Sequence, residues 1–231
     1  MKKQEITIDG IPSLLYGDSC EKLYLFVHGK MSCKEEAARL AGIAIPRGFQ
    51  VLGFDLPEHG DRKGHAYACT PWNGVRDLQS IGSYARKNWK SLCLFASSLG
   101  AYFSLLGYKD FEFEQCLFLS PILDMERLIS NMMQWSKVDE ETLKEKREIP
   151  TAFGESLSWE YYKYVKEHPL HGWNNPTSIL YGSKDALTER HILDDFVAAF
   201  GCDLDVLQGG EHYFHTLEQL EALDEWLCRK V

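Results

Sequence analysis

The sequence predicts an α/β protein: a mainly parallel, twisted sheet of about eight strands with helices on both faces. Three observations predict it. Short apolar runs of strand length alternate with helix-length segments along most of the chain. The runs Lys22 to Val27, Phe49 to Phe54 and Ser91 to Ala96 are apolar at nearly every position, as strands covered on both faces are. The chain has 231 residues, 45% hydrophobic and 13% aromatic, enough for one large core, so 1–231 is expected to be a single domain.

In order, Lys3 to Ile8 alternates like an edge strand, Asp9-Gly10 signals a turn, and Ile11 to Tyr16 returns, so the chain should open with a hairpin. Lys22 to Val27 is a buried strand running into His28-Gly29-Lys30. Cys33 to Ile45 reads as a helix, acidic near its start at Glu35 and Glu36 and stopped by Pro46-Arg47-Gly48. Phe49 to Phe54 is the next strand, and a polar loop from Asp55 to Arg62 follows it. Asn73 to Trp89 is helical, with Val75, Leu78, Ile81 and Ala85 on one stripe. A strand from Ser91 then leads into a helix from Leu99 to Leu106, and Gln115 to Leu119 is another strand.

From Ile122 to about Trp173 the rhythm breaks. This stretch is rich in Met, Trp, Tyr and charge, and predicts several helices with no strand. Pro176 to Tyr181 restores the strand pattern, Leu187 to Phe200 is a helix closed by Gly201, Leu204 to Leu207 is a last strand, and Thr216 to Lys230 a last helix. Right-handed crossovers put the C-terminal ends of parallel strands on one edge, where ligands bind. Four of the loops at that edge carry His28-Gly29-Lys30, Ser98, Asp185 and His212.

Ala96-Ser97-Ser98-Leu99-Gly100 fits the strand-to-helix turn G-x-S-x-G, with Ala in the first position. Small residues two before and two after the serine let strand and helix approach closely, and the turn lifts the hydroxyl above the strand end. Ser98 is therefore the candidate nucleophile. Ser97 has Leu99 where the second glycine belongs, and Ser120 lacks the turn. A serine needs a base, and the base needs an acid to orient it. Asp185, just past a strand in Gly182-Ser183-Lys184-Asp185, is the candidate acid, although Asp is also favoured near helix starts. Asp194 and Asp195 fall within a helix, and Asp203 and Asp205 at the wrong edge. His212 follows Gly209-Gly210, which let the backbone bend over the sheet edge, and is preferred as base over His215. An oxyanion needs two N–H donors. Leu99 supplies one and Lys30, through its backbone, the other. His28 should hold its loop by hydrogen bonds.

The net charge of -9 shows no basic stripe and argues against a nucleic-acid partner. No apolar run is long enough to span a membrane, and no leader pattern precedes Ile6-Thr7-Ile8. Seven scattered cysteines without a C-x-x-C pair point to a reducing, cytoplasmic setting and to no metal site or cofactor. Composition leaves the oligomeric state open.

Together, His28-Gly29, Asp55-Leu56-Pro57-Glu58-His59-Gly60, Ala96-Ser97-Ser98-Leu99-Gly100, Gly182-Ser183-Lys184-Asp185 and Gly210-Glu211-His212 resemble an α/β-hydrolase-fold serine hydrolase over nearly the whole chain. The resemblance implies Ser98 as nucleophile, Asp185 as acid, His212 as base, and Lys30 and Leu99 as oxyanion donors. It also implies a helical cap inserted at 122–173. The substrate is a separate matter: the short, acidic chain without a leader pattern points to a small esterase acting on a small-molecule ester or thioester. Met132, Met133, Trp135 and Trp159 are candidate pocket residues in that insertion, with the insertion's own core as their alternative role. The same residues also serve acyltransferases, lyases and peptidases on this fold, and a non-catalytic binding module is the reading of another class.

Overall fold

The structure, a computed structural model, describes residues 1–231. Strands β1 (Lys3–Ile8) and β2 (Ile11–Tyr16) form an antiparallel hairpin. Its two-residue turn, Asp9-Gly10, takes positive φ at both positions, which matches the twist of the flanking strands. Strand β3 (Lys22–Val27) is followed by a 3-10 turn at Lys34–Glu36 and by helix α1 (Ala37–Ala44). The helix expected from Cys33 thus starts later. Lys34 turns its side chain inward onto the buried Asp55 carboxylate, at 2.7 Å, and the first turn tightens around it.

Strand β4 (Gln50–Phe54), helix α2 (Pro71–Asn88), strand β5 (Ser91–Ser97), helix α3 (Leu99–Gly107) and strand β6 (Gln115–Leu119) follow. Thr70 caps α2 by accepting from Asn73 N–H, and Pro71 occupies the first helical position, where its missing N–H costs nothing.

The chain divides into two compact units, Met1–Ile122 with Gly172–Val231, and Leu123–His171. The second unit contains α4 (Met125–Trp135), α5 (Glu140–Lys146), β7 (Glu148–Pro150), β8 (Ser156–Ser158) and α6 (Trp159–Glu167). It buries Leu128, Ile129, Met133, Leu143, Leu157, Tyr162 and Val165. Its helices are capped by Asp124, Asp139 and Ser158. The segment was expected to be wholly helical, but β7 and β8 pair as a small antiparallel hairpin. Each strand is three residues long, too short to show an alternation in sequence.

The first unit resumes with β9 (Thr177–Gly182), α7 (Arg190–Phe200), β10 (Asp203–Leu207) and α8 (Leu217–Lys230). Thr216 and Gln219 close a reciprocal capping box at the start of α8. The eight strands lie in the order β1-β2-β4-β3-β5-β6-β9-β10. β1, β2 and β4 pair antiparallel, and every other pairing is parallel. On one face, Tyr24, Phe26, Val51, Cys93, Phe95 and Leu117 pack with α1 and α8 through Leu40, Leu223, Trp226 and Leu227. By the two-residue period of strands, Leu25, Val27, Leu52 and Leu94 point the other way. On that side α2 and α3 pack together, with Phe103 lying over Gly74. No helix is long and apolar enough to cross a membrane.

Candidate active site

The C-terminal ends of β3, β5, β9 and β10 bring four loops to one edge of the sheet. Ser98 sits between β5 and α3 with φ 48° and ψ -119°. A positive φ is costly for a residue with a Cβ and persists only when its surroundings enforce it. Here they do: Ser98 N–H donates to the Leu119 carbonyl, and the Ser98 carbonyl accepts from Ala101, Tyr102 and Ile122. Ala96, in the position usually held by glycine, is fully buried between Val27 and Phe118 in register. At Gly100 a Cβ would stand 2.4 Å from the His28 carbonyl oxygen, so only glycine lets α3 start this close to β3.

The Ser98 hydroxyl lies 2.7 Å from His212 Nε2. On the far side of the ring, Nδ1 lies 2.7 Å from Asp185 Oδ2. An ionised carboxylate only accepts, so Nδ1 carries the proton and Nε2 is left to accept the serine hydroxyl. The Asp185 side chain is wholly buried, and its other oxygen accepts the N–H groups of Leu187 and Thr188 at 2.8 and 3.0 Å. Thr188 is fixed in turn: its hydroxyl donates to the Pro121 carbonyl and its own carbonyl accepts from Tyr181 Oη. The acid and base loops meet at Gly182, where a Cβ would stand 2.5 Å from the Gly210 carbonyl, and Lys184 N–H donates to that carbonyl at 2.8 Å.

The rival residues lie elsewhere. His215 is exposed, stacks on Tyr213 and meets the Tyr213 carbonyl through Nδ1. Asp194 pairs with Arg190 on the surface, and Asp205 accepts the Trp226 indole N–H.

The loop after β3 lies against the serine. A Cβ at Gly29 would come within 3.2 Å of Ser98 Cβ, and Lys30 lines the same cavity as Ser98. Leu99 N–H opens α3, where the first amides have no intrahelical acceptor and the helix dipole favours negative charge. His28, fully buried, holds the loop from beneath. Its Nε2 accepts Leu56 N–H at 3.0 Å, which leaves Nδ1–H to donate to the Gly29 carbonyl at 2.7 Å. Burial pulls its pKa down to about 4, so the ring is neutral and this tautomer is set. Behind it, Asp55 accepts Lys34 N–H, Lys34 Nζ and Asp61 N–H. Burial works against the Lys34 charge, but the hydrogen bonds to Asp55, Asp61 and Glu35 outweigh it and raise the pKa above the ordinary lysine value. Arg62 joins the Asp55 carbonyl to Asp77 on α2. No local pattern marks Lys34 as a buried lysine, because its partners Asp55 and Asp61 lie 21 and 27 residues away.

A cavity of about 680 Å³ opens beside Ser98 and His212, lined entirely from the first unit. Met132, Met133, Trp135 and Trp159 belong to the second. There Met133 is buried, Met132 and Trp159 are half-buried, and Trp135 is exposed with its ring edge-on to Phe153.

Neither the family models nor the curated proteins yield a match to this sequence. Solved structures do. The chain is similar to Est1E from Butyrivibrio proteoclasticus, solved with ferulic acid bound, at 19% identity over 98% of both chains and a TM-score of 0.72. It is similar to mouse alpha/beta hydrolase domain-containing protein 10 at 17% identity over 98% of this chain and 97% of that one, TM-score 0.75. It is also similar to an esterase from Pyrococcus furiosus at 17% identity over 99% and 88%, TM-score 0.71. At these identities the likeness is one of fold. The strand order, the strained turn at Ser98 and these neighbours agree: the chain has the α/β-hydrolase fold.

Proposed function

We propose that this protein is a serine hydrolase that cleaves a small-molecule carboxylic ester or thioester through an acyl-enzyme. The observation that carries the reading is the unbroken series Ser98 Oγ, His212 Nε2, His212 Nδ1 and Asp185 Oδ2, with 2.7 Å at each junction. In this reading Ser98 attacks the carbonyl carbon as its proton passes to His212 Nε2, and the buried Asp185 stabilises the imidazolium. Leu99 N–H and Lys30 N–H receive the negative charge on the former carbonyl oxygen. Collapse expels the alcohol or thiol, which takes the proton from His212. Water then attacks the acyl-enzyme by the same route, releasing the acid and restoring Ser98.

Neighbours of the same fold that are described as esterase and thioesterase support the ester class. An acidic chain suits a small-molecule substrate and not nucleic acid, and seven free cysteines suit the reducing cytoplasm. A fluorophosphonate should label Ser98, and Ser98→Ala should abolish hydrolysis of short-chain aryl esters. Full activity in Ser98→Ala overturns the reading.

A further inference from the structure

The cavity beside Ser98 continues down the face of the sheet between α1 and α8. Its floor is Phe26 and Phe95, neighbours in register on β3 and β5, with rings stacked at 5.1 Å. Leu40 forms the α1 wall, and Leu220, Leu223 and Leu227 form the α8 wall. Protein interiors are close-packed, with few voids larger than a water molecule. The space beside Ser98, about 680 Å³, opens to solvent at the exposed Met31 and Tyr213 and narrows against these core side chains, and it falls within the range of ligand sites.

We infer that this channel holds an unbranched aliphatic chain of the substrate. The inference rests on the hydrolase reading above and names its substrate class. Two lengths agree. From Ser98 back to Phe95 is three strand residues, roughly 10 Å. From Leu220 to Leu227 is seven helical residues, again roughly 10 Å. An extended alkyl chain, advancing a little over an ångström per carbon, covers that span with about eight carbons. The deep walls present only hydrocarbon: Phe26, Leu40, Phe95, Leu223 and Leu227 bring no polar side-chain atom. A hydroxyl carried there would lose its water without gaining a partner, which disfavours hydroxylated aromatic acids. The charged and polar lining, Lys30, Ser32, Glu35, Glu36 and Arg39, belongs to the loop after β3, the 3-10 turn and the first turn of α1, and His212 to the loop that precedes α8.

The test measures kcat/KM for two ester series, p-nitrophenyl esters of acids with two to twelve carbons and acetates of alcohols over the same range. Rates are divided by the fraction of protein that a fluorophosphonate titrates at Ser98. A rise to an optimum near eight carbons is expected in one series. The acyl series assigns the channel to the acid, and the acetate series assigns it to the alcohol. In Leu223→Trp, which fills the channel halfway, the preference for eight carbons over two should fall at least about tenfold and the optimum should shorten. Leu220→Trp, on a half-exposed position nearer the start of α8, is the second variant should the first not fold, and should shorten the optimum further. Flat profiles in both series, a preference unmoved by both tryptophans, or a 4-hydroxycinnamoyl ester preferred over the octanoyl ester overturns the channel assignment. Ser98 labelling with flat profiles leaves the hydrolase reading standing. Absence of both labelling and hydrolysis overturns that reading itself.

Discussion

Gly100 and the His28 carbonyl oxygen approach so closely that the smallest side chain at Gly100 would stand 2.4 Å away, well inside van der Waals contact. The obstacle is backbone at the end of β3, not a flexible side chain, so it cannot swing aside. Gly100→Ala should cost about 3 kcal/mol, at the upper end of overpacking penalties. It should also displace Ser98 and the loop before Lys30 together. Urea denaturation checks the first effect, and kcat/KM in the remaining folded protein checks the second.

His28 makes stability depend on pH. Its folded pKa, about 4, lies below the ordinary histidine value of 6.5 because burial disfavours the charged ring. Between those two values the unfolded chain binds the extra proton, so stability rises with pH. It is fully present above pH 6.5 and is lost as pH falls toward 4. The gap corresponds to about 3 kcal/mol. Urea midpoints at pH 7, 5.5 and 4.5 should fall steadily, and His28→Asn, less stable at pH 7, should show a flatter series.

Asp185→Asn separates orientation from folding. An asparagine still offers an oxygen to Leu187 and Thr188 N–H, which donate to Asp185 Oδ1, so the melting temperature should move little. Facing His212 it presents the wrong hydrogen-bonding group or the wrong tautomer, and kcat should drop by about 10⁴. Steady-state kinetics with a short-chain ester reads the loss, and an unchanged kcat would remove Asp185 from the proposed mechanism.

Two lysine and arginine pairs should behave in opposite ways. Lys34→Met leaves the fully buried Asp55 carboxylate without its cation, a change that typically costs about 3–5 kcal/mol. Asp224→Ala removes a partner of Arg39 at 2.6 Å, but both side chains are open to solvent, which screens the pair, so the cost should stay below about 1 kcal/mol. Thermal melts of the two variants, side by side, give the comparison.

The sheet was legible because β3, β4 and β5 are apolar at nearly every position, the mark of strands covered on both faces. Ser98, Asp185 and His212 were legible because glycines punctuate their loops and their order follows the strand ends. What stayed hidden depends on distant partners. Lys34 looks like any surface lysine until Asp55 is placed beside it. The β7–β8 hairpin has a proline in one short strand and no repeat to betray it. The channel is the clearest case. Leu40 and Leu223 have the spacing of ordinary core residues, and no local pattern states that they also line a cavity.

The bond between Ser98 and His212 joins residues 114 positions apart. A ribosome therefore delivers the strained turn long before the imidazole that would activate it. On the proposed mechanism, a growing chain carries an unactivated hydroxyl at Ser98 until the His212 loop after β10 is in place. Covalent capture at position 98 would thus time the arrival of the last strands and serve as a clock for the completion of folding.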